Sequence, residues 1–371
     1  MRDGPKGRFQ ARGENMHLED SSVPVGYVKY INGKIAFLLA GLALLCVLIL
    51  ISISVGSVRI PTVDVLKTLM FRHVSERLDV VVFNIRLPQV MAAVIAGAGL
   101  SVAGAVMQSV LGNPLGSPYT LGISQAAAFG TAFSVMVMGS GVMLSSATDA
   151  INVAQPGITA TTAFVASIVA TGVIILVAHL KRGAPEVMVL AGVALGSLFT
   201  AGTMFLQYFA DDVQLAAMVF WTFGDVARAD WRELGVMTTV TGVAALFFMF
   251  NAWNYNAVDA GDETALSLGV HVRRVRFSGM FTASLVTSVI ISFVGIIGFV
   301  GLVCPHMVRR VIGDDNRFLI PGSCIMGGIL LLAADTAARL AMAPKVLPVA
   351  VLTSFVGAPV FLYLIIKGYR K

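Results

Sequence analysis

From Pro88 to Leu111 the chain runs for 24 residues without an aspartate, glutamate, lysine or arginine. At about 1.5 Å per residue this is roughly 36 Å of helix, enough to cross the hydrocarbon of a bilayer. Ala93, Gly97, Ser101, Ala105 and Ser109 recur every fourth residue, so one stripe of the helix carries only small side chains. Such a stripe lets a second backbone approach closely, which is how helices associate in lipid. The surrounding stretch, Asn84–Gly122, opens on Arg-Leu-Pro and closes on the uncharged, twice-broken turn Asn-Pro-Leu-Gly-Ser-Pro. A simple anchor needs neither end, so the segment reads as a working part of a membrane machine.

Hydrophobic residues make up 57% of the 371 residues and charged ones 12%, a balance that belongs to an all-α, polytopic membrane protein. The net charge of +6 gathers at the N-terminus, in two short loops and at the C-terminus, which argues against a nucleic-acid partner and for inside loops. Cys46, Cys304 and Cys324 have no paired spacing, so no disulfide framework is implied. Residues 1–34 are polar and rich in Gly, Arg and Lys, unlike a cleavable signal peptide. They are read as a disordered cytoplasmic tail ahead of a membrane domain spanning residues 35–371.

Apolar runs place spans at Ile35–Gly56, Pro88–Leu111, Leu121–Met138, Ile158–Leu180, Glu186–Phe209 and Leu234–Ala252. Further runs lie at Phe277–Ile297, Gly301–Val308, Leu319–Ala338 and Leu347–Ile366. Phe277–Val308 holds 32 residues without a charge, about 48 Å of helix and too long for one span. Gly295, Gly298, Gly301 and Pro305 invite a reversal within it. Splitting it gives ten crossings with both termini cytoplasmic. Lys181–Arg182, Arg273–Arg276, Arg309–Arg310 and the basic C-terminus then fall inside, and the acidic loop of Asp211, Asp212, Asp225, Asp230 and Glu233 falls outside. The first outer loop, with Arg59, Lys67, Arg72, Arg77 and Arg86, is the exception.

No phosphate-binding G-x-x-x-x-G-K-[ST] loop occurs, the five histidines are scattered without metal-ligand spacing, and no catalytic set assembles. The chain is therefore read as a non-enzyme with no catalytic residue, no metal site and no cofactor of its own. Buried ionisable groups are too few for a carboxylate relay. Asp335 lies four residues before Arg339, a spacing that favours a structural pair over a coupling site. Gln108, Gln125 and Gln207 either line a polar path or bond between helices. Trp221 and Trp231 read as interfacial anchors. Asp259–Val270 forms a short amphipathic helix with Gly269 where a C-cap would sit; it either lies on headgroups or docks into a partner.

Several segments together resemble one family, the FecCD or BtuC type permeases of ABC importers for iron-siderophore, haem and cobalamin. They are IRLPQVMAAVIAGAGLSVAGAVMQSVLGNPLGSP, VLAGVALG, ETALSLGV, GFVGLVCPHMVRR, LIPGS, LAADTAARL and LPVAVLTSFVGAPVFLYLI, in order over residues 35–371. The resemblance implies ten transmembrane helices per chain in the BtuC-like, type II importer fold, set in the cell (inner) membrane. It implies a second permease chain (as a homodimer), two ABC ATPase subunits carrying ATP and Mg²⁺, and an extracytoplasmic solute-binding protein. Arg86 and Arg339 take the place of the family's docking arginines, and Gln89 stands where a second arginine often follows the first. Asn113, Pro114 and Leu115 correspond to one cytoplasmic gate, Gly183, Ala184 and Pro185 to another. Glu263, Thr264, Ala265, Leu266, Ser267, Leu268 and Gly269 correspond to the helix that couples to the ATPase. The family's commonest cargo is an iron-siderophore complex. A stand-alone secondary transporter or channel is the competing reading from another class.

Overall fold

The computed structural model describes residues 25–56, 60–70, 72, 75–143, 151–153, 155–181, 183–342 and 346–368. The stretch 1–24, most of the expected tail, lies outside the described residues, as do Arg59, Arg182, Arg370 and Lys371. Helix α1 (Val25–Ser54) begins upstream of Ile35, so the boundary drawn from the apolar run alone falls inside a helix. Short helices α2 (Thr62–Leu69) and α3 (Glu76–Val80) follow. A π-helical turn, Val81–Arg86, leads straight into α4 (Leu87–Val110). The helix entering the membrane therefore starts well before Pro88, at the Ser75 cap, whose hydroxyl accepts the Leu78 N–H.

Next come α5 (Ile123–Val137) and a two-stranded antiparallel ribbon, β1 (Gly141–Met143) with β2 (Ile151–Val153). That ribbon is the one departure from an all-helical fold among the described residues. Helices α6 (Pro156–Leu180), α7 (Pro185–Phe209), α8 (Asp212–Thr222) and α9 (Trp231–Phe250) continue the chain. Asp211 and Asp230 start α8 and α9 with capping boxes, each carboxylate accepting backbone N–H groups that the first turn leaves unpaired. Then follow α10 (Ala252–Asp259), α11 (Asp262–Ser267), α12 (Val272–Val294), α13 (Val300–Ile312), α14 (Asn316–Ala341) and α15 (Val349–Gly368).

Each of the ten expected spans coincides with a helix. Seven described helical runs are long and apolar enough to cross a membrane, and α5 and α15 are shorter apolar helices. The tenth, α13, is 13 residues with two arginines in its last turn, the short return expected after the reversal. The reversal itself falls at Gly295, with φ 78°, and Phe299, which takes φ 66°. A left-handed phenylalanine is strained, and its side chain sits where only Gly357 of α15 leaves room.

The middle of the bundle is α4, in which every residue from Gly99 to Val110 is buried. Two close backbone crossings explain why. At Gly97 a Cβ would run into the Gly327 carbonyl of α14, and the reverse substitution would meet Gly97 and Ser101. At Gly104 a Cβ would strike the backbone of Gly301 on α13. The four-residue ladder thus marks the α14 contact at Gly97 and Ser101, while Gly104, off the ladder, makes the α13 contact. Ser109, at the foot of the ladder, serves a polar contact instead.

Candidate functional site

Polar contacts gather at two opposite ends of the bundle. At the first end, α4 stops at Val110 and the chain turns through Leu111–Gly116. Gly112 takes φ 56°, and the Asn113 side chain accepts the Leu115 N–H at 2.9 Å, a local bond that holds the turn without a helix. Leu115 is 47% exposed at its tip. The α6–α7 turn lies at the same end, with Gly183 at φ 81° and Ala184-Pro185 starting α7. Arg273, over the Phe277 ring at 5.5 Å, donates to the His179 carbonyl at 3.2 Å and so ties this turn to α12.

Helix α11 projects from that end. Ala265 is buried, whereas Leu266 and Leu268 are 62% and 67% exposed, so an apolar edge faces outward on an acidic helix. Gly269, at φ 80°, closes it: its N–H donates to Leu266 O and the Val270 N–H to Ala265 O, the paired bonds of a Schellman cap. The expected C-cap is therefore present.

Behind α11 runs a network that sequence reading missed. Ser109 Oγ and Asn316 Nδ2 both donate to Asp259 Oδ2, at 3.0 and 2.7 Å. Asn316 also donates to Asn256, which donates to Asp315 at 3.0 Å. Burial pushes the Asp315 carboxyl up, but hydrogen bonds from Arg317 and Asn256 outweigh it and hold it at about 2. Gln108 donates to Leu302 O and accepts from Arg309 at 2.8 Å, so of the three glutamines it is the interhelical one. Arg276, 8% exposed, donates from Nε to Val110 O at 2.9 Å and from both terminal nitrogens to Asp262, at 2.8 and 2.7 Å. The clue to it was available: Val272, Val275, Arg276, Gly279 and Met280 share one buried stripe, and an arginine there needs partners.

Gln125 and Gln207 line an open groove along α5 and α7. Its two parts, about 570 and 200 Å³, share Tyr119, Gln125, Thr200 and Met204. Its wall is mainly apolar, broken by hydroxyls and amides, and no charged side chain lines it among the described residues. The groove passes from the turn after Asn113 toward the far end of α7. Gly192 and Gly196 let α7 touch Leu121 and Gly122 directly at its base.

The opposite end places Arg86 and Arg339 differently from a surface docking pair. Arg86 is 5% exposed and donates to the carbonyls of Ile53 and Ser54. Arg339 pairs with Asp335 at 3.0 Å and donates to Ser52 Oγ at 2.6 Å and to the Ser52 and Val55 carbonyls. Both guanidiniums thus cap the final turn of α1, where unpaired carbonyls and the negative end of the helix dipole favour cations. Gln89 donates to the other Asp335 oxygen at 3.0 Å, completing a buried cluster. The expected Asp335–Arg339 pair is present. Trp221 is buried rather than interfacial; Trp231 is exposed, with its indole N–H on Phe83 O.

A glycine-crossed bundle of this hydrophobicity, with uncharged turns at one end and an uncharged groove beside them, is a multi-pass membrane protein. Residues 44–367 match the model of the FecCD transport family, and the chain belongs to that family. It is 51% identical over 352 residues to a Methanocaldococcus jannaschii protein whose name assigns it provisionally to the ABC transporter permeases, covering 94% of this chain and 99% of that one. It is 33% identical to the hemin transport system permease protein of Yersinia pestis, over 86% of this chain and 93% of the relative. A solved inward-facing transporter, assigned provisionally to the metal-chelate ABC type, superposes with a TM-score of 0.76 at 25% identity, covering 89% of this chain and 98% of that one.

Proposed function

We propose that the chain is the transmembrane permease subunit of an ATP-driven ABC importer, forming with a second copy the pathway for a metal chelate of the iron-siderophore, haem or cobalamin kind. An iron-siderophore complex is the favoured cargo. Two ATPase chains, holding ATP and Mg²⁺, bind at the Asn113 end, and an extracytoplasmic solute-binding protein meets the Arg86 end. The Asn113 end and both termini then face the cytoplasm of the cell (inner) membrane. Asn113-Pro114-Leu115 and Gly183-Ala184-Pro185 act as the cytoplasmic gates, and Glu263–Gly269 as the coupling segment.

The observation that carries this reading is α11: a short, acidic, tightly capped helix that leaves Leu266 and Leu268 uncovered at the same end as both turns. A partner ATPase can push only on a surface it touches, and this is a rigid one. The uncharged groove beside the gate turns suits a bulky cargo passed along without tight binding. Since Arg86 and Arg339 sit beneath the outer surface, their part in docking is to hold the ends of α1, α4 and α14 in place under the solute-binding protein.

Reconstitution into liposomes with and without the ATPase subunits tests the reading, using ferric siderophore, haemin and cobalamin as probes. Uptake of one of them should require ATP and both ATPase subunits. Uptake that persists without them and follows an ion gradient would establish a secondary transporter instead. Gly269→Val should separate hydrolysis from uptake, because a β-branched residue cannot hold φ 80° and the cap opens. The measurement is uptake per ATP hydrolysed; a ratio equal to wild type refutes the coupling role of this segment.

A further inference from the structure

We propose that Arg276 is the strut that carries movement of α11 into the end of α4 and hence into the Asn113 turn. The inference rests on the importer reading and adds to it a positioning residue that no surface feature reveals. Asp262 is the first residue of α11 and Val110 the last of α4, and one buried guanidinium bonds to both. Three of its nitrogens are used, and the bidentate grip on Asp262 fixes direction as well as distance. The Val110 carbonyl is one that the end of a helix leaves without an intrahelical partner, so Arg276 is held by the final turn itself.

The position is an expensive one for packing alone. Arg276 lies one turn into α12, where the helix dipole disfavours a cation, and it is 8% exposed among Val272, Val275 and Gly279. An apolar side chain would fill that stripe without desolvating a charge. What the arginine adds is a connection between two elements that otherwise meet at few points. A second connection runs in parallel, from Asp259 at the end of α10 to Ser109 on α4. The neighbouring Arg274, exposed on the same turn of α12, makes neither bond and serves as the control for net charge.

The experiment uses the full chain with its ATPase subunits in liposomes, reading uptake of ferric siderophore, haemin or cobalamin per ATP hydrolysed. Arg276→Gln should lower that ratio roughly tenfold, within the range produced by mutations along a coupling route, while hydrolysis continues. Asp262→Asn should lower it similarly, and the double variant should be no worse than the single ones. Arg276→Lys, which keeps the charge but one donor group, should recover part of the loss, and Arg274→Gln should match wild type. A ratio for Arg276→Gln within about twofold of wild type overturns the proposal, including the case where protein yield and uptake fall together. If wild-type uptake needs no ATPase, the importer reading fails first; if wild type is ATP-dependent and Arg276→Gln is equally coupled, the strut alone fails.

Discussion

Gly104→Val should abolish the folded protein or lower its unfolding midpoint more than any other single change in α4. Overpacking a core ordinarily costs about 1–3 kcal/mol, because flexible side chains move aside. Here the obstacle is the backbone of Gly301, and Gly301 in turn lies against the Leu100 carbonyl. Neither can rotate away, so α4 and α13 must separate along their contact, and the cost should exceed the upper end of that range. Gly172→Val on the exposed face of α6 is the matched control, since nothing lies within 4 Å of the added carbon. The measurements are the yield of monodisperse protein in detergent and its thermal midpoint. A wild-type midpoint for Gly104→Val would mean that the crossing is looser than the structure has it.

That crossing also marks where sequence reading stops. The ladder from Ala93 to Ser109 announced a close helix contact, and Gly97 against Gly327 is one, because a small-residue stripe is a property of a single helix and visible along the chain. Gly104–Gly301 is a meeting of two glycines from different helices, and nothing in either segment names the other. The reversal at Gly295 was legible for the same local reason, as were the cap at Gly269 and the pair Asp335–Arg339. By contrast, the bond between Arg276 and Val110 joins residues 166 apart, and the one from Gln89 to Asp335 spans 246. Family resemblance brought Arg86 to attention, yet it could not reveal that the side chain turns inward to the end of α1. Polar residues are informative when their partners lie within a turn; across a bundle, burial has to be known before their role can be.

The second large effect belongs to the inward-turned cluster. Arg339→Met should cost about 3–5 kcal/mol, because it leaves Asp335, 3% exposed, without its cation and takes one of the two guanidiniums from the end of α1. Asp335→Leu should cost a similar amount by stranding Arg339. The double variant Asp335→Leu/Arg339→Met should recover most of the loss, since an apolar pair of like volume replaces a buried ion pair nearly neutrally. Thermal unfolding in detergent reads all three, and additive losses in the double variant would contradict a buried pair. The same double variant also tests whether Arg339 attracts the partner directly. Reversing its charge puts a carboxylate against the Ser52 and Val55 carbonyls, so weaker docking of a solute-binding protein could follow from a disturbed α1 alone. The double variant strands no charge, but it removes both the Arg339 cation and its bonds to the end of α1, which Arg86 alone then caps. Docking that stays intact there rules out a direct attraction between Arg339 and the partner, and docking that falls shows that the partner needs the Arg339 charge or the α1 end it caps.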